Sequence, residues 1–497
     1  MIRNIHRQMK NFHIAIIGGG VIGSAIAWEL SKYKLDVVVF EKGSDVASET
    51  SKANSGVVHS GINSPPSSLK AHFCVEGNKL IQPLAKKLGF PLKWTGKYII
   101  AKCEDEVEEL YRLKGVGEEN NVPNLEILDG QVIKKKEPNL TCYKALWVPT
   151  AGILLPYKFT IALAENAVVN NVTFLLETEV IELQKKDKFY IKTNKGAFQS
   201  ILLINAAGLN CRKIVSLLEN PDFNVYPCRG EYLVLDKSYN NLINSMIYLV
   251  PPKKLGVLGV HITPTIEGNI LLGPSAEFID NPDEKNNTKE MIRKLILEAK
   301  KIIPAIPEKA VIAAYSGIRC KLASPEEGGW ADYRIEESKQ TQGLINLLGI
   351  ESPGLTSAPA IAKEIVKMIS KNIELKPKDN HKTIKFMRKR FSEMNEKEQS
   401  DLIKKDVSWG RIVCRCEYIT EAEIIKALSN PLGVRTLSSV KFRARAGMGR
   451  CQGGFCTQHI IRIMEDNFGI NINEIKLKSP ESKLFMGRNR EVRDDKS

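Results

Sequence analysis

The first part of the chain contains short runs of apolar residues, which are separated by glycines and polar turns. Residues 13–17 form an unbroken apolar run, which predicts a buried β-strand. Residues 24–34 repeat their apolar positions at helical spacing, so we expect a helix with one buried side. Residues 35–40 are again continuously apolar and predict a second buried strand. This strand–helix–strand order is typical of a unit built on a parallel sheet.

Three glycines, Gly18, Gly20 and Gly23, join the first strand to the helix in the spacing G-x-G-x-x-G. The first permits a tight turn, the second lets the backbone approach a pyrophosphate, and the third lets helix and strand pack closely. The helix N-terminus adds free N–H groups for the phosphates. Glu41 ends the second strand about 20 residues later, where a carboxylate binds ribose hydroxyls. These features predict a Rossmann-like dinucleotide site.

Later apolar runs extend this sheet and add a second one. Residues 201–209 and 344–350 predict two more buried strands, and the latter leads into a helix at 361–369. Several β-rich segments alternate with turn residues between these strands, at 94–101, 226–235, 256–262 and 270–274. We therefore expect an α/β fold in which a mostly antiparallel substrate domain (α+β) is inserted into the nucleotide-binding domain.

The composition is that of a globular protein, with 43% hydrophobic and 26% charged residues in a chain of 497. The formal net charge is +15, but the lysines are spread along the chain without a nucleic-acid-binding motif, so we expect no nucleic acid partner. Attraction of an anionic substrate explains the charge equally well. Glycines interrupt the apolar stretch at 13–30, and we expect no transmembrane segment. We predict a cytoplasmic protein, with attachment to the inner face of a membrane through a partner as the alternative.

The ten cysteines are unevenly distributed. Six are dispersed singly, which is typical of reduced thiols. The other four form two close pairs near the C-terminus, Cys414 with Cys416 and Cys451 with Cys456. Four thiolates on turn-like segments can hold zinc or a [2Fe-2S] cluster, and free thiols are the third possibility.

Two segments carry a resemblance to a known family. Residues 54–61 read N-S-G-V-V-H-S-G, and residues 351–360 read E-S-P-G-L-T-S-A-P-A. Both resemble the D-amino-acid-oxidase-like FAD-dependent oxidoreductases, and the resemblance extends over residues 13–370. It is strongest to the branch of glycerol-3-phosphate oxidases, anaerobic glycerol-3-phosphate dehydrogenases and L-2-hydroxyglutarate dehydrogenases.

The resemblance implies FAD as the cofactor and a set of residues that contact it. The helix predicted at 361–369 is expected to direct its N-terminus at the flavin, where it stabilises the negative charge of the reduced ring. The expected cofactor-binding residues are Gly18, Gly20, Gly23, Glu41, Lys42, Thr50, Ser51, Gly56, Val180, Ala207, Gly208, Gly349, Pro353, Gly354, Leu355 and Thr356.

The reaction that the resemblance implies is oxidation of a secondary alcohol, which requires a base for the hydroxyl proton and cations for an anionic substrate. His59 lies in the flavin-facing segment and is the candidate base, because imidazole titrates near neutral pH. Arg319 matches a family position that binds the substrate anion, and a guanidinium suits phosphate or carboxylate. Arg229 is a further candidate, with structural ion pairing as the alternative, and Ser55 is expected to bind substrate or flavin.

The sequence departs from the family pattern at two places near the substrate. Relatives often carry a lysine where Leu258 stands, although Lys253 and Lys254 lie slightly upstream. If that lysine binds phosphate, its absence favours a 2-hydroxycarboxylate over glycerol 3-phosphate. Residues 320–332 are also longer than expected, and we predict that they shape the mouth of the substrate site.

The C-terminal cysteines resemble those of a bacterioferritin-associated-ferredoxin-like [2Fe-2S] domain, in the version fused to anaerobic glycerol-3-phosphate dehydrogenases. The matching residues are C-R-C at 414–416 and R-A-G-M-G-R-C-Q-G-G-F-C at 445–456. The resemblance implies that Cys414, Cys416, Cys451 and Cys456 hold the cluster. We expect Arg443, Arg445 and Arg450 to offset its negative charge.

Together these features predict an enzyme that oxidises glycerol 3-phosphate and passes electrons through the cluster to an acceptor protein or a quinone-linked subunit. The alternatives are a 2-hydroxyacid dehydrogenase, an amino-acid dehydrogenase of the same fold, and a non-enzymatic redox sensor. The predicted domains are 12–372 for the oxidoreductase, 373–409 for a linker, 410–475 for the cluster domain and 476–497 for a charged tail that frays. Within the first, we assign 12–80, 150–215 and 342–372 to FAD and 81–149 and 216–341 to the substrate.

Overall fold

The computed structural model describes residues 9–251, 259–385 and 389–487. Two large sheets form the body of the molecule, and a small helical module follows at the C-terminus. None of the helices within these three ranges combines the length and apolar character that a membrane span requires.

The nucleotide sheet has a parallel core, as predicted. Ile14 lies opposite Val37 on one side and Leu202 on the other, and all three strands run the same way. An antiparallel hairpin pairs with the first half of Gly196–Asn205, and Leu344–Leu348 pairs with its second half. The strands are Thr173–Leu175, Val37–Phe40, Lys10–Ile17, Gly196–Asn205, Leu344–Leu348 and Arg334–Glu337, with the hairpin Val180–Lys185 and Phe189–Thr193.

Helices cover this sheet and bury most of their apolar residues against it. The first begins at Val21, directly after the glycines, and ends at Leu30, earlier than the predicted 34. It ends there because the chain turns to meet residue 376, whose carbonyl accepts from the Lys34 N–H. The covering helices are Val21–Leu30, Leu69–Leu88, Pro156–Val168, Cys211–Val215 and Gly354–Ile369, and the last starts seven residues before the predicted 361.

The second sheet has nine strands and is antiparallel except where Met246–Leu249 runs parallel to Lys97–Ala101. This confirms the predicted substrate sheet. In spatial order its strands are Glu277–Phe278, Tyr226–Leu235, Ile270–Gly273, His261–Pro264, Met246–Leu249, Lys97–Ala101, Lys144–Val148 and Glu126–Asp129, and Val311–Lys321 pairs with Tyr226–Leu235.

Alternation along these strands divides the substrate sheet into two faces. One face is apolar and packs against helix Lys289–Ile302; it carries Tyr98, Leu233, Ile247, Ile262 and Leu272. The positions between them form the opposite face.

The remaining elements connect the two sheets. A three-stranded sheet contains Val57–Val58, Gly152–Leu154 and Leu92–Lys93. Helices Val107–Glu119 and Gly130–Lys136 flank the substrate sheet. Short 3₁₀ turns are Glu104–Glu106, Gly208–Asn210, Lys237–Leu242, Glu308–Ala310, Phe391–Glu393, Val407–Gly410 and Ile472–Glu474.

The segment predicted as a linker follows the surface of the body. The side chains of Asn166 and Asn170 hydrogen-bond the backbone at 384 and 382, and the His381 ring lies 4.9 Å from that of Trp28. Helix Glu396–Lys405 follows within the predicted linker. The polar sequence does not predict these contacts, because they depend on backbone groups, which every residue carries.

The C-terminal module combines two short strands, Ile412–Cys414 and Ile419–Thr420, with helices Glu421–Leu428, Leu437–Ala444 and Thr457–Phe468. The expectation that the tail frays from residue 476 is wrong for its first part. The N–H of Ser438 bonds the carbonyl of Leu477, and that of Leu484 bonds the carbonyl of Ile475. The domain boundaries themselves stay a prediction.

Gly77 generates a test of this packing, because a Cβ there would lie 2.0 Å from the carbonyl oxygen of Thr356. We expect Gly77→Ala to destabilise the protein by about 1–3 kcal/mol, since helices Leu69–Leu88 and Gly354–Ile369 must separate. Gly115→Ala is the matched control: it also lies in a helix, but nothing lies within 4 Å of its added Cβ. Thermal unfolding that ranks Gly77→Ala as no less stable than Gly115→Ala would contradict this packing.

Candidate functional site

A cavity of about 510 Å³ lies at the carboxyl ends of the parallel strands, where this type of sheet binds its ligands. Most of the predicted cofactor-binding residues line it. These are Gly18, Gly20, Glu41, Lys42, Thr50, Ser51, Val180, Ala207, Gly208, Pro353, Gly354 and Leu355.

The glycine turn has the close contacts that its spacing predicts. Gly18 has φ +111°, and a Cβ there would lie 2.4 Å from the oxygen of Ala206. Gly23 does not line the cavity; its Cβ would lie 1.9 Å from the oxygen of Gly18, so it permits helix and strand to pack. Ser51 accepts a hydrogen bond of 2.9 Å from the first N–H of the helix, at Val21. The resulting cradle fits a dinucleotide, because only backbone lies where side chains would otherwise fill the space.

Glu41 is buried at the end of its strand, beside the glycine turn. Its carboxylate accepts hydrogen bonds from the N–H of Gly19 at 2.7 Å and of Gly43 at 2.6 Å. Burial raises the pKa of Glu41 although these two bonds act in the opposite sense. The carboxylate is therefore fixed in the cavity wall, in the position that a ribose-binding acid requires.

Three other predicted cofactor residues support the cavity without lining it. Gly56 has φ +70° and lies against the oxygen of Leu154, and Gly349 has φ +67° and lies against Leu322. Thr356 is fully buried. Val180 does line the cavity, at the start of strand Val180–Lys185.

His59 lies on the wall of this cavity and is held at several points. Its N–H donates to Thr356 Oγ1 at 2.9 Å, and its carbonyl accepts from Asn78 at 2.9 Å. Its ring Nε2 lies 3.4 Å from Ser352 Oγ. Burial, followed by the charge of Lys97 and the neighbouring His261, lowers the pKa of His59 to about 3. The imidazole is therefore neutral at physiological pH, with a free lone pair, but its low pKa makes it a weaker base than an ordinary imidazole.

Arg319 lies on the cavity wall with its guanidinium held by neutral groups. It donates to the carbonyl of Ser275 at 3.2 Å and to Cys228 Sγ at 3.7 Å. Gly230 makes room for it, because a Cβ there would lie 2.8 Å from Arg319 Nη2. The Tyr232 hydroxyl contacts both Arg319 and Ser55, and Ser55 also lines the cavity. His59, Ser55 and Arg319 are therefore brought together, as predicted.

Arg229, the further candidate for substrate binding, lines neither this cavity nor the second one that adjoins it. Its guanidinium lies 2.6 Å from Glu277 and 3.6 Å from Glu231. Side chains alternate between the two faces along strand Tyr226–Leu235, so Arg229 lies on the face opposite that of Cys228. Arg319 pairs with Cys228 and therefore lies on the other face from Arg229. These contacts favour the structural ion pair for this arginine, and its role in substrate binding stays a prediction.

A second cavity, of about 630 Å³, shares His59 and Arg319 with the first. Lys321 and Trp330 line it, so the long segment 320–332 does contribute to this space, as predicted. Leu258, Lys253 and Lys254, where the sequence departs from the family, lie outside the described residues.

Strand register adds three polar residues that the sequence analysis did not select. Lys97 pairs with Met246, and Tyr248, two residues on, pairs with His261, so the three side chains share one face of the sheet. The Tyr248 and His261 rings stack at 4.0 Å, and the Lys97 ammonium lies 4.8 Å from the Tyr248 ring. Lys97 lines the second cavity and His261 the first. The sequence feature that could have pointed to these residues is Lys97, a lysine that begins an otherwise apolar strand.

The four C-terminal cysteines form two contact pairs, Cys414 with Cys456 and Cys416 with Cys451. The contact with Cys456 lowers the pKa of Cys414 to about 6. Across the three described ranges, no group of three or more metal-ligating side chains is placed to hold a metal ion. Four thiols in two pairs are nevertheless the donor set that a [2Fe-2S] cluster uses, so the chemistry of these residues fits it.

The arginines near these cysteines bind carboxylates, some of the body and one of the C-terminal module itself, and their effect on the charge of a cluster stays a prediction. Arg443 is buried and bonds Glu165 at 2.9 Å and also Asp45, and Arg445 bonds Glu417 at 2.8 Å. Arg450 bonds Asp236 at 3.1 Å. The pairs of Arg443 and Arg450 join the C-terminal module to helix Pro156–Val168 and to the turn after strand Tyr226–Leu235, which local sequence could not reveal because these partners are distant in the chain.

Comparison with known families gives two matches. The model of the FAD dependent oxidoreductase family matches residues 13–368. The model of the BFD-like [2Fe-2S] binding domain matches residues 412–466, which contain all four clustered cysteines.

Individual relatives agree with both matches. The chain is 40% identical to a glycerol 3-phosphate dehydrogenase of Caloramator mitchellensis, over 96% of this chain and 98% of the relative. It is 33% identical to a mitochondrial L-2-hydroxyglutarate dehydrogenase of Arabidopsis thaliana, over 70% and 82%. Among solved structures it resembles an FAD-bound L-α-glycerophosphate oxidase from Mycoplasma pneumoniae, with 32% identity, TM-score 0.70, and coverage of 75% and 97%.

The two thiol pairs generate a test. We expect Cys451→Ser to reduce the bound iron and acid-labile sulfide to near zero while leaving the flavin content unchanged, because one of four thiolates is lost and Cys451 does not line the dinucleotide cavity. Cys103→Ser, at another exposed cysteine, is the matched control and should retain full iron. Equal iron contents in the two variants would contradict a cluster at these residues.

Proposed function

The chain belongs to the FAD-dependent oxidoreductase family, and we propose that it oxidises sn-glycerol 3-phosphate to dihydroxyacetone phosphate. It is an enzyme that acts on a CH–OH donor and uses FAD and a [2Fe-2S] cluster. The observation that carries the proposal is that His59 and Arg319 line the same two adjoining cavities. A base and a guanidinium that face the same cavity can bind the hydroxyl and the anionic group of one small molecule.

His59 is the proposed base. Its neutral ring accepts the proton of the substrate hydroxyl, while its backbone bond to Thr356 holds the ring in place. Bound FAD supplies the acceptor for the hydride that leaves the same carbon. Loss of one proton and one hydride converts the alcohol to a ketone.

Arg319 is proposed to bind the phosphate of the substrate. Its present partners, Ser275 and Cys228, are uncharged, so the guanidinium keeps its full charge for an anion. Substrate held between Arg319 and His59 has one fixed orientation, which favours reaction at a single carbon.

The C-terminal module is proposed to carry electrons from the flavin site to an acceptor protein or a quinone-linked subunit. Tyr157 supports this route: its hydroxyl lies 3.7 Å from Met448 Sδ, next to the cluster cysteines, and the preceding Pro156 lies beside Gly56 of the flavin-site loop. Cys416 and Cys451 are exposed, so a partner can approach that side of the cluster.

L-2-Hydroxyglutarate is the second candidate substrate. The plant dehydrogenase for that compound aligns with 70% of this chain, whereas the Caloramator glycerol 3-phosphate dehydrogenase aligns with 96%. A carboxylate would suit Arg319 as well as a phosphate does, and Leu258 replaces the family lysine.

An anaerobic titration of the full chain, holding both cofactors, distinguishes the two substrates. We expect glycerol 3-phosphate to bleach the flavin absorbance at far lower concentration than L-2-hydroxyglutarate, followed by loss of the broad cluster absorbance. Bleaching by L-2-hydroxyglutarate alone would transfer the function to the second candidate. Bleaching of the flavin without reduction of the cluster would contradict the electron route.

His59→Asn tests the base. We expect kcat to fall about 10²–10⁴-fold with flavin content unchanged, since proton abstraction is lost but the fold is not. His72→Asn, at an exposed histidine of helix Leu69–Leu88, should keep wild-type activity.

The pH profile provides a second readout for His59. Because its pKa is lowered to about 3, the base stays neutral as the pH falls, and kcat of the wild type at saturating substrate, which titration of the free substrate phosphate does not affect, should remain level down to pH 5. An acid limb near the ordinary imidazole pKa of about 6.5 would contradict this environment.

A further inference from the structure

Lys97 is a buried cation whose function the proposed mechanism does not yet use. Its side chain is 1% exposed, and it begins strand Lys97–Ala101 at the wall of the second cavity. His59 and Arg319 line the same cavity. An ammonium group so far from bulk water is costly unless it has a partner of opposite charge.

The other cations of this cavity are already paired. Lys70 and Lys321 both bind Glu351, at 2.9 and 3.2 Å, and Arg112 binds Glu109. Among the ion pairs of the described residues, none includes Lys97 or Arg319. Two cations of the cavity wall, Lys97 and Arg319, therefore make no ion pair among the described residues, although the carboxylates of Asp105 and Glu108 line the same cavity.

Polar atoms beside Lys97 are also without partners. Tyr248 Oη and His261 Nε2 are buried and have no hydrogen-bond partner within the described residues. Both rings lie on the face of the sheet that carries Lys97, and the Tyr248 ring is 4.8 Å from its ammonium. Two cations without an ion pair, with two buried polar atoms without partners next to Lys97, favour a ligand rich in oxygen and negative charge.

We propose that Lys97 and Arg319 together form the anion subsite that binds the phosphate or carboxylate of the substrate beside His59. The inference rests on the proposed function and extends it, because it adds a second, specificity-determining cation from a different strand. We expect Lys97 to supply the positive charge that the family lysine would supply where this chain has Leu258, although the two positions are not equivalent in sequence. A neutral alcohol would leave both charges buried without a partner, so the subsite selects anionic hydroxy compounds.

Binding of an inert anion tests the subsite without turnover. The oxidised holoenzyme is titrated with inorganic phosphate, and binding is followed by the perturbation of its flavin spectrum or by calorimetry. We expect Lys97→Met to weaken phosphate binding by about tenfold or more, since a hydrogen bond to a charged group is lost. Lys97→Arg should retain much of the affinity. Unchanged phosphate affinity in Lys97→Met would overturn the proposal.

Lys93→Met is the matched control, because Lys93 is an exposed lysine four residues earlier in the same segment. It should bind phosphate like the wild type. If both variants weaken binding equally, the effect is one of overall charge, and the subsite is refuted.

Stability separates a binding role from a structural one. Burial lowers the pKa of Lys97 to about 8, so its charged form opposes folding at neutral pH, and Lys97→Met should unfold at the same or a higher temperature than wild type. A lysine that holds the fold together would instead lower the melting temperature when replaced. Phosphate binding lost together with a large drop in melting temperature would overturn the binding role.

The pH dependence of sulfate binding supplies a signature of Lys97 itself, because sulfate keeps its charge across the range. Affinity in the wild type should fall as the pH rises through about 8, and Lys97→Met should lack this step. The titratable neighbours do not interfere: the pKa values of His59 and His261 are lowered to about 3, that of Cys74 is raised to about 12, and that of Tyr248 is raised as well.

Substrate kinetics distinguish failure of this inference from failure of the proposed function. With glycerol 3-phosphate, Lys97→Met should raise KM more than it lowers kcat, and kcat/KM for uncharged glycerol should not change. If glycerol 3-phosphate is not oxidised at all but phosphate binding still depends on Lys97, the subsite stands and the substrate is another anion.

Discussion

The site depends above all on the register of the nine-stranded sheet. Cys228, Gly230 and Tyr232 pair with Arg319, Gly317 and Tyr315, so these alternate positions share one face. The next strands continue that face through Gly273, His261 and Tyr248 to Lys97. The face therefore carries cations and ring side chains, while the opposite face is apolar and packs against helix Lys289–Ile302. A shift of one residue in strand Lys97–Ala101 or strand Val311–Lys321 would turn Lys97 or Arg319 into that core and remove it from the cavity.

The same register explains which parts of the site could be predicted. The dinucleotide-binding turn could be predicted from the sequence, because Gly18, Gly20 and Gly23 act within one continuous strand–turn–helix segment. Arg229 and Arg319 were indistinguishable by residue type, and only pairing between distant strands puts them on opposite faces. Lys97 and His261 were missed for the same reason, since 164 positions of chain separate two residues that meet through Tyr248.

Long-range contacts also decide how the C-terminal module relates to the body. Charge-rich sequence predicted a linker and arginines that serve a cluster, yet Arg443 and Arg445 bind carboxylates contributed by Asp45, Glu165 and Glu267. Each pair is nearly inaccessible to solvent, so breaking one partner would leave an uncompensated charge. Such pairs fix orientation, and they hold the cluster cysteines against the helix that begins at Pro156, beside the flavin-site loop.

Buried charge in this protein therefore falls into two classes. Arg443, Arg445, Lys70 and Lys321 have carboxylates within 3.5 Å, and their charges are balanced within the fold. Lys97 and Arg319 are equally buried or cavity-facing, but among the described residues they contact rings, a thiol and a carbonyl instead. Folding energy explains the first class, because each pair offsets its own desolvation. It does not explain the second, since a protein selected only for stability would replace such cations with apolar residues of similar size. Their retention on the one face that adjoins both cavities is what a site for an anionic substrate requires.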